Sequence, residues 1–550
     1  MELVISRYEP YFELGVQSFL GKAFKDDGRK LDLNGKDKDL TTIPSHYMSA
    51  GGCFWVLKDD KNIVHGTIAL RCLGDCFEIR RFFVGRKDQS KGYGKLLLQT
   101  VLQYAIDTRV EIVKAATLER SMVAQFLFEQ AGFKPAARYN ESRADIFYKL
   151  ALTLEWRYIF QINDLRRQFH KTLILNPTEN LPCLHKEANA SFIDGLYVSE
   201  RIKDLSDKII FAGRNPYISF FASIKNSWCQ LLHAYDVDLK TLSGLHAHMI
   251  LFMCILHPKD IVMLLPEICG GHYSTEAILK SIGADVIHMQ ADCRHMCVDR
   301  EKTEKLIELY QPKYIFVDRS EGLVYEDFSW LGKYEQSFKI FDASQYLSHI
   351  LTGDFQNPFA MGFDMILSTL HKNYPGPQKG IICVKKDSKT WRTYQQNAKT
   401  FISSTHPGDI ANSLQPLLEF EQFKEYVRNN NGCSRLLEKE LVRHGIPVVE
   451  PACTDPKTMH TWILCQNSQE SYDYYLKLEQ LGLLTNYRLL PYGLGYGLRL
   501  GTSAAVRCGL NRSHIAELAS IMSRTYHGYV DSSMKKRTSK FIRRVKESTA

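Results

Sequence analysis

Apolar and polar positions first follow a short-strand pattern. Residues 76–84 (CFEIRRFFV) alternate as a strand does, which predicts Phe77, Ile79 and Phe83 on one face. A polar, glycine-bearing turn follows. Leu97, Val101 and Tyr104 then stripe one side of a helix predicted over about 94–108. A second strand (EIVKAATL, 111–118) leads to a helix that starts at Ser121 and stops at Gly132. Residues 1–150 therefore read as a small α+β domain, and 151–175 as a charged helical connector. From about 240 the pattern changes. Short apolar strands at 261–265, 285–289, 314–317, 339–341 and 364–368 alternate with helical stretches, which predicts a parallel sheet covered on both faces. This is the large domain, 176–415. A helix near 420–443 and a strand near 459–465 predict a smaller α/β lobe over 416–530.

Composition adds few constraints. The chain has 550 residues, 45% hydrophobic and 24% charged, which fits a globular protein. Its net charge is +9, but in the last twenty residues seven Lys and Arg face only Asp531 and Glu547. Over half the excess lies in that segment, so 531–550 reads as a solvated basic tail and nucleic acid is not expected as a partner. The N-terminus lacks a basic stretch followed by an apolar core, and the longest apolar run, 249–256, is far short of the ~20 residues that span a bilayer. A cytoplasmic protein with reduced thiols and no membrane contact is expected. Cys72/Cys76 and Cys293/Cys297 are C-x-x-x-C pairs without a second pair nearby, so no metal site is expected.

The turn QSKGYGK (89–95) opens the 94–108 helix. Glycines let the backbone approach a ligand, and N–H groups at a helix start hold a phosphate. The run EIRRFFV, Q-x-x-G-x-G, an apolar helix and S-x-x-A-x-x-x-F-E-x-x-G-F (121–133) resembles the GNAT acetyltransferase family over most of residues 1–150. The resemblance implies that Gln89, Lys91, Gly92 and Gly94 cradle the pyrophosphate of acetyl-CoA and that the backbone near Val84 orients the acetyl group. The family's usual tyrosine general acid is replaced by Phe128, which has no proton to give. Glu78 is a candidate base for an amine acceptor.

In the second half, Ser243-Gly244, Gly270-Gly271-His272, Ser320, Asp342 and His371-Lys372 all follow predicted strands. A lysine, a carboxylate, an aromatic ring, a helix N-terminus and an arginine are the parts that pyridoxal phosphate (PLP) chemistry needs. LNPTENLP (175–182), LSGLHAHM (242–249), GGHYST (270–275), FDASQ (341–345), STLHKNYPGPQKG (368–380) and LRLGTSAAVRCGL (498–510) resemble serine hydroxymethyltransferase and its fold-type-I PLP relatives over roughly 170–525. STLHKNYPGPQKG looks closer to the folate-independent branch, which includes threonine transaldolases. The resemblance implies an α/β fold: a large domain with a mostly parallel sheet and a small C-terminal domain. It assigns Lys372 to the covalent link with PLP, Asp342 to the ring nitrogen, His272 to the ring face and Ser243 and Gly244 to the phosphate. Ser320, Gln345 and His371 neighbour the cofactor, Arg507 binds the amino-acid carboxylate and Glu179 is the acid/base at the substrate hydroxyl.

Three departures limit the transfer. Gln345 stands where the family has His, and Leu370 where it has Thr. The family's tyrosine-rich Y-A-E-G-Y segment is not recognisable; the chain reads SERIKDLSDKIIFAGRNPY (199–217) instead. These leave tetrahydrofolate use open. The expected whole is a bifunctional homodimer acting on small molecules. One half performs hydroxymethyltransferase- or aldolase-type chemistry at Cα–Cβ of a glycine-, serine- or threonine-like amino acid, and the other N-acylates a small amine. Another PLP reaction (transamination, racemisation, decarboxylation) beside a weakly catalytic GNAT domain is the alternative.

Overall fold

The computed structural model describes residues 3–49, 51–184, 188–197, 206, 210–403, 405–452 and 457–548. The chain divides into two compact units, Met1–His170 and Lys171–Ala550.

The first unit is built on a seven-stranded sheet. Its order is Val4–Arg7, Cys53–Lys58, Val64–Cys72, Cys76–Val84, Ile112–Thr117, Ile146–Ala151, Lys134–Pro135. Cys76–Val84 and Ile112–Thr117 pair in parallel, and the other pairs are antiparallel. Helix Tyr93–Asp107 buries Leu97, Leu98, Val101, Leu102 and Ala105 against one face. The alternation predicted for 76–84 breaks inside the strand. Pairing with Val64–Cys72 shifts register between Thr67 and Ala69, and Arg81 adopts a φ of 51°. A bulge moves every later side chain to the opposite face. Phe77 and Ile79 thus join the core under the helix, while Phe83 packs with Phe24 (ring centroids 5.3 Å) in the second core. The stretch after 151 is helix Leu154–His170, and Trp156 Nε1–H donates to the Ala131 carbonyl at 2.9 Å.

The second unit centres on another seven-stranded sheet. Its order is Asp285–His288, Ile261–Leu264, Tyr314–Val317, Phe338–Asp342, Met365–Thr369, Gly380–Val384, Asp236–Asp238. The first five run parallel, and Gly380–Val384 is antiparallel to both its neighbours. All four residues of Tyr314–Val317 are buried, because helices cover both faces. A smaller lobe carries the antiparallel strands Thr461–Leu464, Gly495–Leu500 and Asn486–Leu490. The incoming chain docks there first: Leu173–Ile174 pairs with Leu483–Leu484, and Gly501 N–H donates to Leu175 O at 2.8 Å. A Cβ on Gly501 would lie 2.5 Å from Pro177, so this crossing requires glycine.

The basic C-terminal segment is not a solvated tail. It forms helix Ser532–Glu547, capped by Asp531, and buries Met534, Thr538, Phe541, Ile542 and Val545 in the lobe's core. Replacing the fully buried Phe541 with alanine is expected to cost about 3–5 kcal/mol. Denaturant melts of the full chain should show the larger unit's transition at lower midpoint. Lys536→Gln, on the exposed side, should leave it in place. No helix among the described residues is long and apolar enough to cross a membrane.

Candidate functional site

In the second unit, polar and charged side chains converge beyond the carboxyl ends of the parallel strands, the edge where open α/β sheets hold ligands. Asp342 ends strand Phe338–Asp342 and is buried. Its Oδ1 accepts from Ser344 N–H (2.7 Å) and its Oδ2 from His248 Nε2 (2.7 Å). Burial alone would raise its pKa; the His248 hydrogen bond and charge, with Lys372, hold it below the usual carboxylate range. Lys372 follows strand Met365–Thr369. Burial lowers its pKa, opposed by the charges of Asp342 and Asp318. The lysine and both acids thus share one electrostatic environment. The turn carrying Lys372 is clamped. Asn373 Nδ2 donates to Gln345 O (2.7 Å), Tyr426 OH donates to Asn373 O (3.0 Å), and Asn180 Nδ2 donates to Lys372 O (2.6 Å).

Ser243 caps helix Gly244–Ile255, its Oγ accepting from His246 N–H at 3.2 Å. A Cβ on Gly244 would lie 3.1 Å from Thr369 Cβ, so the helix start sits tightly on the strand that precedes Lys372. The buried Thr241 hydroxyl has no hydrogen-bond partner there. Gly270 has a φ of 88°, and a Cβ on it would fall on Glu321 O. This close packing fixes His272 beside the segment that carries Ser320. The His272 ring lies 6.0 Å from that of His248, and burial, His248 and Lys372 push its pKa to about 4. His371 is likewise neutral, lowered to about 4 by burial and Lys372; its Nδ1 is 2.6 Å from Thr369 Oγ1.

The arginine whose charge acts on Lys372 is Arg499. It is buried on strand Gly495–Leu500, its charge acts on Lys372 and His460, and its Nη1 has no hydrogen-bond partner. Glu321 faces it at 3.4 Å and also pairs with Arg488. Arg507, the sequence candidate, ends helix Ser503–Arg507, and its charge acts on Tyr426 and Cys508. Glu179 is exposed, although its neighbour Asn180 holds the Lys372 backbone. Gln345 is buried with its Nε2 unpartnered, and its Oε1 accepts from His460 Nε2 at 3.2 Å.

In the first unit, Gly92 has a φ of 87° at the start of helix Tyr93–Asp107. Gln89 Nε2 donates to Val84 O (3.0 Å), which ties the turn to the strand end. Lys91 pairs with Asp88 (2.9 Å), which also accepts from His65 Nδ1 (2.8 Å). A Cβ on Gly94 would lie 3.1 Å from Leu127. Phe128 is a core residue among Phe82, Phe133 and Tyr148. Glu78 is fully buried, paired with Arg71 (2.8 Å) and accepting from Asn140 Nδ2 (2.6 Å). Glu78 is thus a buried, ion-paired carboxylate, not the solvent-open one its place beside the loop suggests.

Comparison with known proteins supplies the context. Residues 50–135 match the acetyltransferase (GNAT) domain, and residues 213–522, over half of the chain, match serine hydroxymethyltransferase. The chain belongs to the serine hydroxymethyltransferase family. Serine hydroxymethyltransferase from Pyrobaculum arsenaticum is 25% identical over 311 residues, 55% of this chain and 72% of that enzyme. The enzyme from Thermoplasma acidophilum is 25% identical over 309 residues, 54% and 72% respectively. The crystal structure of an L-threonine transaldolase from Pseudomonas fluorescens, in its internal aldimine state, superposes with a TM-score of 0.65. It is 17% identical, covering 70% of this chain and 90% of that one, which shows a shared fold.

In this member of the serine hydroxymethyltransferase family, several residues around Lys372 and Asp342 carry weaker sequence signals. His248 lies four residues past Gly244 on one helix, a spacing that places both on one side. Asp318 sits two residues before Ser320 at a strand end. Arg499 alternates with Leu498 and Leu500, the pattern of a strand whose single polar residue points into a site. His460 carries no sequence signal; the fold alone brings it to Gln345. Most of 199–209, where the family's tyrosines were sought, lies outside the described residues.

Proposed function

We propose that the larger unit is a PLP enzyme that makes or breaks the Cα–Cβ bond of a β-hydroxy-α-amino acid, with glycine, serine or threonine as amino-acid partner. The smaller unit, 1–150, transfers an acyl group from acetyl-CoA to a small amine. Residues 176–415 are the large domain of the PLP half, and its small domain runs from 416 through helix Ser532–Glu547. The observation that carries this reading is the electrostatic coupling of half-buried Lys372 to the buried Asp342. The residues present fit the cofactor. An acid braced by His248 suits a ring nitrogen, and Gln345 Nε2 and Thr241 Oγ1 are buried polar atoms without a hydrogen-bond partner.

PLP, when bound, supplies an electron sink for a bond broken at the α-carbon. Lys372 would hold it covalently, Asp342 at the ring nitrogen, His272 on the ring face, and Ser243 and Gly244 at the phosphate, with Ser320 and His371 alongside. The chain's own work is then binding and proton handling. Arg499 grips the substrate carboxylate with two parallel N–H bonds. Lys372, its pKa lowered by burial, moves a proton at the α-carbon. Glu179 moves one at the β-hydroxyl, and its exposure fits a site completed by a second copy in a cytoplasmic homodimer. A second reading, exchange of an aldehyde without tetrahydrofolate as in a transaldolase, is favoured by Gln345 in place of histidine.

Two assays of the full chain test the halves. Glycine plus an aldehyde should yield a β-hydroxy amino acid, and its absence across a panel of aldehydes would refute the first assignment. Acetyl-CoA plus a panel of small amines should release free thiol, and Gly94→Val should abolish release, because its side chain would meet Leu127 and displace the turn. Release that persists in this variant would overturn the assignment of the 89–95 turn.

A further inference from the structure

Asp342 does not face the cavity as a lone acid. Four buried side chains from four segments form a row: Asp342 at the end of its strand, His248 on helix Gly244–Ile255, Thr275 at the start of helix Thr275–Ile282, and Asp318 after strand Tyr314–Val317. Nε2 of His248 is 2.7 Å from Asp342 Oδ2 and its Nδ1 is 3.4 Å from Thr275 Oγ1. Thr275 O–H donates to Asp318 Oδ2 at 2.5 Å. The nearest nitrogen and oxygen atoms of His248, Asp318 and Asp342 all lie within 4.8 Å of one another.

The sense of these bonds limits where the protons can be. Both carboxylates, when ionised, only accept. Thr275 spends its one proton on Asp318, so its oxygen can only accept from Nδ1. Both ring nitrogens of His248 must then carry hydrogen, which makes it an imidazolium between two acids. Protonating Asp318 reverses the row: the acid donates to Thr275, Thr275 donates to Nδ1, and His248 becomes neutral while still donating to Asp342. One proton is thus shared between His248 and Asp318 across a threonine hydroxyl. The charges agree with this geometry. Burial would lower the His248 pKa, but Asp342 and Asp318 raise it; burial and the nearby Asp342 charge raise Asp318 to about 6. The other groups facing His248 are Lys372, whose charge opposes protonation, the His272 ring at 6.0 Å, and the apolar rings of Phe252 and Phe316.

We propose that Thr275 and Asp318 are positioning residues that set the charge of His248 and, through it, how strongly Asp342 holds a proton on the cofactor's ring nitrogen. An imidazolium on Oδ2 withdraws negative charge from the carboxylate, and a neutral imidazole withdraws less. Asp318 therefore tunes the electron sink without touching it. The inference rests on the PLP reading for its consequence, but the row itself exists in the chain without ligand.

The test has two arms. In the full chain freed of PLP, ring-nitrogen NMR of ¹⁵N-histidine should show an imidazolium that persists above the ordinary histidine value of about 6.5. His248→Asn should delete that signal and so assign it. Asp318→Asn and Thr275→Val should lower its titration midpoint by about one pH unit or more, whereas Thr275→Ser, which keeps the hydroxyl, should not. In the PLP-loaded chain, the pH midpoint of the visible absorption band should move in Asp318→Asn and Thr275→Val and stay put in Thr275→Ser. A wild-type His248 that is neutral at pH about 7, or midpoints unmoved in both Asp318→Asn and Thr275→Val, would overturn the proposal. If the histidine arm behaves as expected and the chain takes up no PLP, the row stands and the cofactor reading falls.

Discussion

Lys372→Ala is expected to lower turnover of a β-hydroxy amino acid by at least about 10³-fold, the scale of losing a group that bonds covalently during the reaction. The side chain is half-buried, its charge couples to Asp342 and Asp318, and its backbone is held by Asn180. Removing the amine leaves that frame standing, since none of the bonds that clamp the turn uses Nζ. The thermal midpoint should therefore stay near wild type while activity disappears. Steady-state assay beside a melt separates the two; a parallel loss of folding would locate the lysine's role in stability instead.

The second large effect is expected at Arg499. Truncating one partner of a buried, hydrogen-bonded charge pair costs about 2–5 kcal/mol or more. Arg499→Ala should raise KM for the amino acid by about 10²-fold or more, and Arg499→Lys should recover little, because an ammonium cannot offer two parallel N–H bonds. Arg507→Ala should change KM much less, since its charge acts on Tyr426 and Cys508 and not on Lys372. A KM that responds to Arg507 and ignores Arg499 would reverse this assignment.

The contrast between those two arginines shows what a sequence reveals. Both stand in one motif, eight residues apart, and both are cations of the required kind. Only the change from strand to helix at 500–503 decides which one turns toward Lys372. The places of Asp342 at a strand end and of Ser243 and Gly244 at a helix start are legible in the sequence, because local pattern fixes them. Phe83 was misplaced because one bulge at Arg81 inverts a strict alternation. The C-terminal helix was hidden by its own charge. Met534, Thr538, Phe541, Ile542 and Val545 recur at helical spacing, but seven cations among them gave the appearance of a solvated segment. Glu78 shows the opposite failure. A carboxylate beside a candidate loop suggested a base, and the arginine that neutralises it comes from the neighbouring strand.

If PLP is tethered at Lys372, the chain offers a rival lysine. Lys379, seven residues on, is fully buried, and burial lowers its pKa to about 8. Borohydride treatment of the PLP-loaded full chain, followed by peptide mapping, decides between them. The cofactor's mass is expected on Lys372, with the label lost in Lys372→Ala. Label on Lys379, or on no lysine of the 368–380 segment, would contradict it.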